Sequence, residues 1–352
     1  DLLLVNLPEP PGTVKVTFAK FKADSKTFTY TDGQMSLKDA PLKISGTHRD
    51  YLKGFDKDVS LILKGRLGPQ FVEWLARALG APSWLKLRPQ TLAPSKLRYV
   101  RGEKNTLSVS IATQDGLGLS TDILLGVDEL TVDKLSIQDN VSRAAIGLHV
   151  KGGAVDLAFD GKIYQQTLNR LFSKGTFLAE SIDGKMRARW DPQNLSKSNM
   201  EGDLRGRNIF VAYDPATPLK INSFVLRGDA SKIRIDTADL NWSEMPLKLS
   251  GTIQPESDNR LGLDLDIAAD AVDLDRLIQV LKSGPENKEP QAGSTSEPFP
   301  LVGNIRFKAD RLTFSDLAWT PLHADVSLNK ANTDITIKEA ALCGISTPGT
   351  LT

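Results

Sequence analysis

Asp264 and Asp266 are the residues in this chain whose types and spacing best suit acid–base chemistry. Two carboxylates on one strand face could serve glycosidic hydrolysis, one as acid and one as base or nucleophile. They alternate with Leu263, Leu265 and Ile267, however, and that pattern equally describes the wet face of a half-buried strand. Asp273 and Asp275 have a simpler explanation as helix-start residues favoured by the helix dipole. The three histidines, His48, His149 and His323, are far apart, so a catalytic set would need distant loops to converge. Cys343 is the only cysteine: a small buried hydrophobe, or half of a disulfide whose partner lies outside this chain. One Cys and three scattered His exclude a Cys/His zinc site. Gly116-Leu117-Gly118-Leu119-Ser120 lacks the third glycine of a dinucleotide loop and sits in a strand pattern. There is no phosphate-binding P-loop and no Gly-x-Ser-x-Gly elbow. The expectation is a protein without catalytic residues, metal or cofactor.

The composition points the same way. The chain has 352 residues, 44 Lys+Arg against 43 Asp+Glu, and 40% hydrophobic residues. That is about two domains by length, with ample apolar surface for a core. A net charge of +1 argues against a dedicated nucleic-acid binder. Aromatics at 7% are thin for stacking on sugars or bases. No run of 18 apolar residues occurs, so nothing here reads as a transmembrane helix. The chain opens at Asp1 without Met and ends at Thr352 in a strand-like context, and is expected to be a fragment or a processed chain.

The elements that would position any site are strands. Apolar residues recur with period two in Val14, Val16 and Phe18, in Leu61 and Leu63, and in Ile146, Leu148 and Val150. The series continues in Leu157 and Phe159, Ile209 and Val211, and Ile233 and Ile235. It then runs through Leu247 and Leu249, through Leu261, Leu263, Leu265 and Ile267, and closes on Ile305 and Phe307. Strands at this spacing predict an antiparallel meander, with turns at Asp32-Gly33, Asp115-Gly116, Asp160-Gly161 and Asp183-Gly184. Too few helices intervene for a βαβ fold. Three short amphipathic helices are expected: Pro69 to Leu79, a second capped by Thr167 and running to Phe172, and Asp273 to Lys282 with Asp273 as cap. Residues 282–298 carry three Pro, two Gly and no large apolar side chain, and read as a flexible linker.

An internal repeat is present. Phe28 to Thr47 aligns without gaps with Ile233 to Thr252, and both end in Pro-Leu-Lys-x-Ser-Gly-Thr. Each reads as strand, turn, strand, turn, strand. A repeating β unit cannot bury its apolar face alone, so neighbours must extend one sheet.

These residues carry a family resemblance. The segment Pro246-Leu247-Lys248-Leu249-Ser250-Gly251-Thr252 resembles the end of an AsmA-like repeat. Ala269 to Ile278 resembles that family's strand-to-helix segment, and Phe159 to Phe172 does so more weakly. Leu342-Cys343-Gly344-Ile345-Ser346-Thr347-Pro348-Gly349-Thr350-Leu351 resembles the close of AsmA-like C-terminal regions. The resemblance covers about residues 155–352. It implies a periplasmic protein of Gram-negative bacteria, held at the inner membrane by a helix not in this sequence. It implies a part in outer-membrane biogenesis and phospholipid transport of the bridge-like kind.

The fold that follows is mainly β: a long twisted antiparallel sheet curled into an open apolar trough, with a few short helices. The expected divisions are residues 1–155, 156–281, the linker 282–298, and 299–352. The alternating residues named above would line the lipid groove. Each methylene leaving water gains roughly 0.8 kcal/mol, so an acyl chain needs no specific motif. The expected partners are phospholipid or another acyl-chain lipid, a membrane, and other envelope proteins, with no nucleic acid. Two other readings remain open: a scaffold whose apolar face is packed shut, and an enzyme assembled from distant loops near Asp264, Asp266 or His149.

Overall fold

The computed structural model describes residues 14–17, 20–78, 85–173, 177–211, 219–242, 244–257, 259–276, 278, 301–329 and 332–351. The protein is mainly β and divides into two compact units, Asp1–Lys185 and Met186–Thr352. The division falls inside a strand at Ser181–Trp190.

In the first unit, β1 (Val14–Thr17) and β2 (Lys20–Ala23) both pair with β3 (Thr27–Leu37). An antiparallel meander follows through β4 (Ala40–Arg49), β5 (Asp58–Leu67), β6 (Gln90–Val100) and β7 (Asn105–Ala112). It continues through β8 (Gly118–Leu125), β9 (Glu129–Gln138), β10 (Arg143–Lys151) and β11 (Ala154–Tyr164). Two helices sit at strand ends, α1 (Pro69–Ala78) and α2 (Gln165–Leu171). A two-residue strand β12 (Phe177–Leu178) precedes β13, the strand at the division.

The second unit runs antiparallel through β14 (Asn199–Val211), β15 (Leu219–Asp229), β16 (Ile233–Trp242), β17 (Met245–Pro255) and β18 (Leu261–Asp273). Then β19 (Leu301–Phe314) pairs with β18 in parallel, Leu265 opposite Ile305. The meander resumes through β20 (Leu317–Leu328), β21 (Thr333–Leu342), β22 (Ile345–Ser346) and β23 (Gly349–Leu351).

The parallel pair corrects the expectation of a wholly antiparallel sheet. The connection over 274–300 is long enough to carry the chain back to the starting end, as parallel neighbours require. Within each unit the sheet is open. Strands bond to their chain neighbours, and no described pairing returns to close either unit.

Three of the four Asp-Gly pairs are not turns. Asp115-Gly116 closes the β7–β8 connection, where Gly116 N–H donates to Thr113 O at 3.2 Å. The other three lie inside β3, β11 and β13. Asp32, at φ 58, sits in a bulge between Tyr30 and Gly33, while Gly161 and Gly184 hold φ 125 and φ 143. A Cβ on Gly161 would stand 2.3 Å from Arg143 O, so the glycine permits close strand approach rather than a reversal. The Gly152-Gly153 pair does make a turn, with φ 56 and 84.

The repeat is real in structure but simpler than expected. Each copy is two long strands, not three short ones. Tyr30 lies opposite Gly46 and Gly33 opposite Ile44; Ile235 lies opposite Gly251 and Ala238 opposite Leu249. Both copies carry the same bulge between those pairs. The two repeat glycines differ in role. Gly46 lies under the Tyr30 ring, whereas Gly251 holds φ 134 with a would-be Cβ 2.1 Å from Asp264 O. We expect Gly251→Ala to cost about 2 kcal/mol, read as a lowered denaturant midpoint with an unchanged slope.

The helices follow the expected stripe with different caps. Trp74 and Val72 of α1 are buried, and Trp74 packs with Leu37 at the end of β3. Leu79 lies outside the described residues. The cap comes from another turn: Asp39 accepts from Gln70 N–H at 3.0 Å and Phe71 N–H at 2.9 Å. Thr167 does not cap α2, contrary to expectation. Its hydroxyl is buried and donates to Asp139 Oδ2 at 2.7 Å, and Ser142 Oγ lies 2.6 Å away. Ser142 Oγ in turn accepts the Tyr164 N–H at 2.9 Å, so the hydroxyl of another turn serves the helix start. Asp273 does cap the third helix, accepting from Arg276 N–H at 3.0 Å. The end of that helix and the linker at 282–298 lie outside the described residues.

Candidate functional site

Period-two alternation and strand register together sort every side chain onto one of two faces. In the first unit a transverse row runs Ala23, Phe28, His48, Val59, Tyr99, Leu107, Ile123, Val132, Leu148, Leu157, each directly opposite the next. It takes one residue from each of β2 to β11, and His48 is its only ionisable member besides the Tyr99 phenol. At about 4.8 Å per strand the row extends roughly 43 Å. A second row on the same face runs from Phe21 through Tyr30, Gly46, Leu61, Leu97 and Val109 to Thr121.

The second unit repeats the arrangement. Leu204, Leu226, Ile235, Gly251, Leu265, Ile305, Val326, Ile335 and Leu351 form one row. Phe224, Ala238, Leu249, Ile267, Phe307, Ala324 and Ile337 form the next. In β14 the alternation switches at Asn208, which holds φ 47. Ile209 therefore joins the apolar face and, with Phe224, covers Gly206.

The register places the residues named from sequence as follows. Val14 pairs with Leu37 and Val16 with Met35; Leu63 pairs with Ile44; Ile146 pairs with Phe159, and Val150 with Val155. With Leu61, Leu148 and Leu157 these, Val14 aside, occupy one face of the first unit. Val211 pairs with Leu219, Ile233 with Ile253, Leu247 with Ala269, Leu263 with Ile253, and Leu261 with Leu301. With Ile209, Ile235, Leu249, Leu265, Ile267, Ile305 and Phe307 they, Val211 aside, occupy one face of the second. Phe18 lies outside the described residues.

This face is buried laterally rather than by a covering layer. The cluster around Ile235, Ala238 and Leu265 draws only on β15 to β19, and that around Met245, Ala269 and Leu322 only on β16 to β21. Between the fully buried members, Leu263, Ile267, Phe307 and Leu249 remain half-buried. In the first unit, α1 covers only the Leu37 end.

The opposite face is polar, and sequence reasoning overlooked how it is organised. Thr29, Thr47, Ser60, Arg98, Ser108 and Asp122 border a shallow open recess of about 940 Å³ there. They alternate with the apolar row, so the signal was present as Ser and Thr at alternate positions of β3, β4 and β7, joined by charged residues on β6 and β8. In the second unit Arg306 clamps both carboxylates considered for catalysis. Its Nε and NH2 donate to Asp266 at 2.6 and 2.9 Å, and its NH1 donates to Asp264 at 2.6 Å. The Arg306 hydrogen bonds hold the Asp266 carboxyl below its ordinary range. An exposed carboxylate kept ionised in this way is unsuited to donating a proton.

The histidines do not converge. His149 lies on the polar face between Glu129 at 3.2 Å and Asp156 at 3.4 Å. His323 pairs with Glu339 at 2.8 Å. His48 is buried on the apolar face, its Nδ1 2.8 Å from Phe55 O and its ring 4.1 Å from the Phe55 ring. Burial pushes the His48 pKa below the ordinary 6.5, against the opposing hydrogen bond to Phe55. The unfolded chain then binds the proton more readily, so stability falls as pH drops below about 6.5. A melting series from about pH 8 to about pH 5 should show that slope, and His48→Phe should flatten it. No group of three or more His, Cys, Asp or Glu among the described residues could hold a metal. Cys343 is exposed in the β21–β22 turn, not a buried hydrophobe. No helix among the described residues is long and apolar enough to cross a membrane.

Compared with family models, curated proteins and solved structures, the chain matches none.

Proposed function

We propose that the apolar face is a lane for acyl chains, and that the protein is a non-enzymatic lipid-binding or lipid-transfer protein of the bacterial envelope. The single observation behind this reading is the set of apolar rows, one residue per strand, unbroken by charge in the second unit, with no described layer spread over them. Such a row offers methylene-sized contacts at regular spacing. Each buried methylene contributes about 0.8 kcal/mol, so affinity comes from repetition and tolerates many acyl chains. Headgroups would stay in water beyond the strand ends. The AsmA-like resemblance supports phospholipid as cargo, the periplasm as location, and passage between inner and outer membrane as the task.

The other reading is a scaffold whose apolar face is packed shut. The observation in its favour is α1, which does cover the Leu37 end of the first unit. Uptake of a fluorescent phospholipid by the purified chain separates the two. The lane reading expects saturable uptake displaced by unlabelled phospholipid; the scaffold reading expects none.

A further inference from the structure

In an antiparallel meander, alternate turns share a rim. The β2–β3, β4–β5, β6–β7, β8–β9 and β10–β11 turns of the first unit therefore lie along one rim. The opposite rim carries α1, α2 and the Asp39 and Asp139 turns. Three large apolar residues on the first rim stand well out in water: Phe21 at 73%, Leu52 at 71% and Val127 at 100% exposure. No other described large apolar residue of that unit is more than about half exposed.

Phe21 and Leu52 belong to an aromatic cluster at one end of the rim. Phe21 stacks on Phe28 with ring centres 6.1 Å apart, and Phe28 meets Tyr51 at 6.0 Å and Phe55 at 5.4 Å. Leu52 follows Tyr51 in a single 3-10 turn, Tyr51–Lys53. Phe21, Phe28, Tyr51 and Phe55 thus form one aromatic cluster beside Leu52, and Phe28 and Phe55 pack on buried His48, Phe28 also on Tyr30.

The charges around this tip are lopsided. Asp24 is occupied by its own turn, accepting from Lys26 N–H, Thr27 N–H and the Thr27 hydroxyl. Asp50 pairs with Lys53, Asp56 with Arg101, and Asp58 with Arg49 and Arg98. Lys22, Lys26 and Lys57 are exposed and make no ion pair among the described residues. Asp24 stays an anion, the other local carboxylates are paired, and the three unpaired ammonium groups leave an excess of positive charge beside an exposed aromatic tip.

We propose that this end of the rim docks on an anionic lipid bilayer, with Phe21 and Leu52 entering the headgroup–acyl boundary and Lys22, Lys26 and Lys57 facing lipid phosphates. Aromatic and branched apolar tips partition into that boundary, and unpaired lysines are attracted to an anionic surface. The inference does not require acyl chains to occupy the sheet face.

The test is co-sedimentation of the full chain with vesicles of phosphatidylcholine alone and of phosphatidylcholine mixed with phosphatidylglycerol. Binding is expected only to the mixed vesicles, weakened by salt. Phe21→Ser with Leu52→Ser should weaken it at least about tenfold. Lys22→Ser, Lys26→Ser and Lys57→Ser together, all at exposed positions that leave the fold intact, should weaken it by about a hundredfold. The lysine variant, which changes no residue of the apolar rows, should take up fluorescent phospholipid as the parent chain does if the lane reading holds, which separates failure of one idea from failure of the other. No binding to mixed vesicles, equal binding to both kinds, or unchanged binding of the lysine variant would overturn the proposal. So would a dimer in solution that the Phe21→Ser, Leu52→Ser variant dissolves, since the tip would then face a second copy.

Discussion

Leu263→Asp should abolish phospholipid uptake, by tenfold or more in affinity, while leaving the far-ultraviolet circular dichroism of the sheet intact. Leu263 is half-buried on β18, opposite Ile253 on one side and Gly303 on the other. Gly303 has no side chain to close over it, so a carboxylate there keeps access to water. It would still place a charge in the middle of the apolar row, where an acyl chain would have to desolvate it. Leu148→Asp, opposite Val132 and Leu157, should behave alike in the first unit. Leu265→Asp provides the contrast, because Leu265 is fully buried among Ile235, Ala238 and their neighbours. That substitution should unfold the second unit whatever the face does. If Leu263→Asp also unfolds it, the face is packed shut and the scaffold reading gains.

Asp139→Ala should destabilise the first unit by about 3 kcal/mol, the largest loss expected from a single polar substitution. The carboxylate is fully buried yet completely partnered. It accepts from Val141 N–H at 2.9 Å, Ser142 N–H at 2.7 Å and the Thr167 hydroxyl at 2.7 Å, and pairs with Arg170 at 3.0 Å. Removing it leaves three donors without their acceptor and Arg170 with the more distant Asp115, 3.9 Å away, and frees α2 from the β9–β10 turn. Burial pushes this carboxyl up, but the hydrogen bonds and Arg170 outweigh burial and hold its pKa below the ordinary 3.8. Its stabilisation is therefore complete above the unfolded value near 3.8 and is lost as pH falls through the lower folded value. Urea titrations at neutral pH and near pH 3 should show the parent and Asp139→Ala chains converging on acidification.

The faces were legible in the sequence because period two is a local property. Leu261 to Ile267 alternates with Gly262, Asp264 and Asp266, and the strand needs no other information to decide which side is apolar. What was illegible depends on partners. The bulges at Asp32 and Asn208 shift alternation through a single positive φ that Asp-Gly or Arg-Asn does not announce. The parallel pairing of β18 and β19 depends on where a long connection delivers the chain. Thr167 reads as a cap until Ser142 and Asp139, more than twenty residues earlier, are brought to it. The rim formed by Phe21 and Leu52 was overlooked for a related reason. Phe21 has the strand spacing of a core residue, and only the fold shows it standing in water.

Neither of the acid–base settings considered from the sequence is assembled among the described residues. Arg306 holds Asp264 and Asp266, and the histidines sit in three separate settings. The proposed function rests on repetition along the sheet, not on such a site.

The central claim is that lipid occupies the apolar face, and native mass spectrometry of the gently purified chain with analysis of extracted lipid tests it most directly. The account predicts a bound phospholipid mass on the parent chain that disappears in Leu263→Asp. A clean unliganded mass on the parent chain, with no phospholipid in the extract, would contradict it.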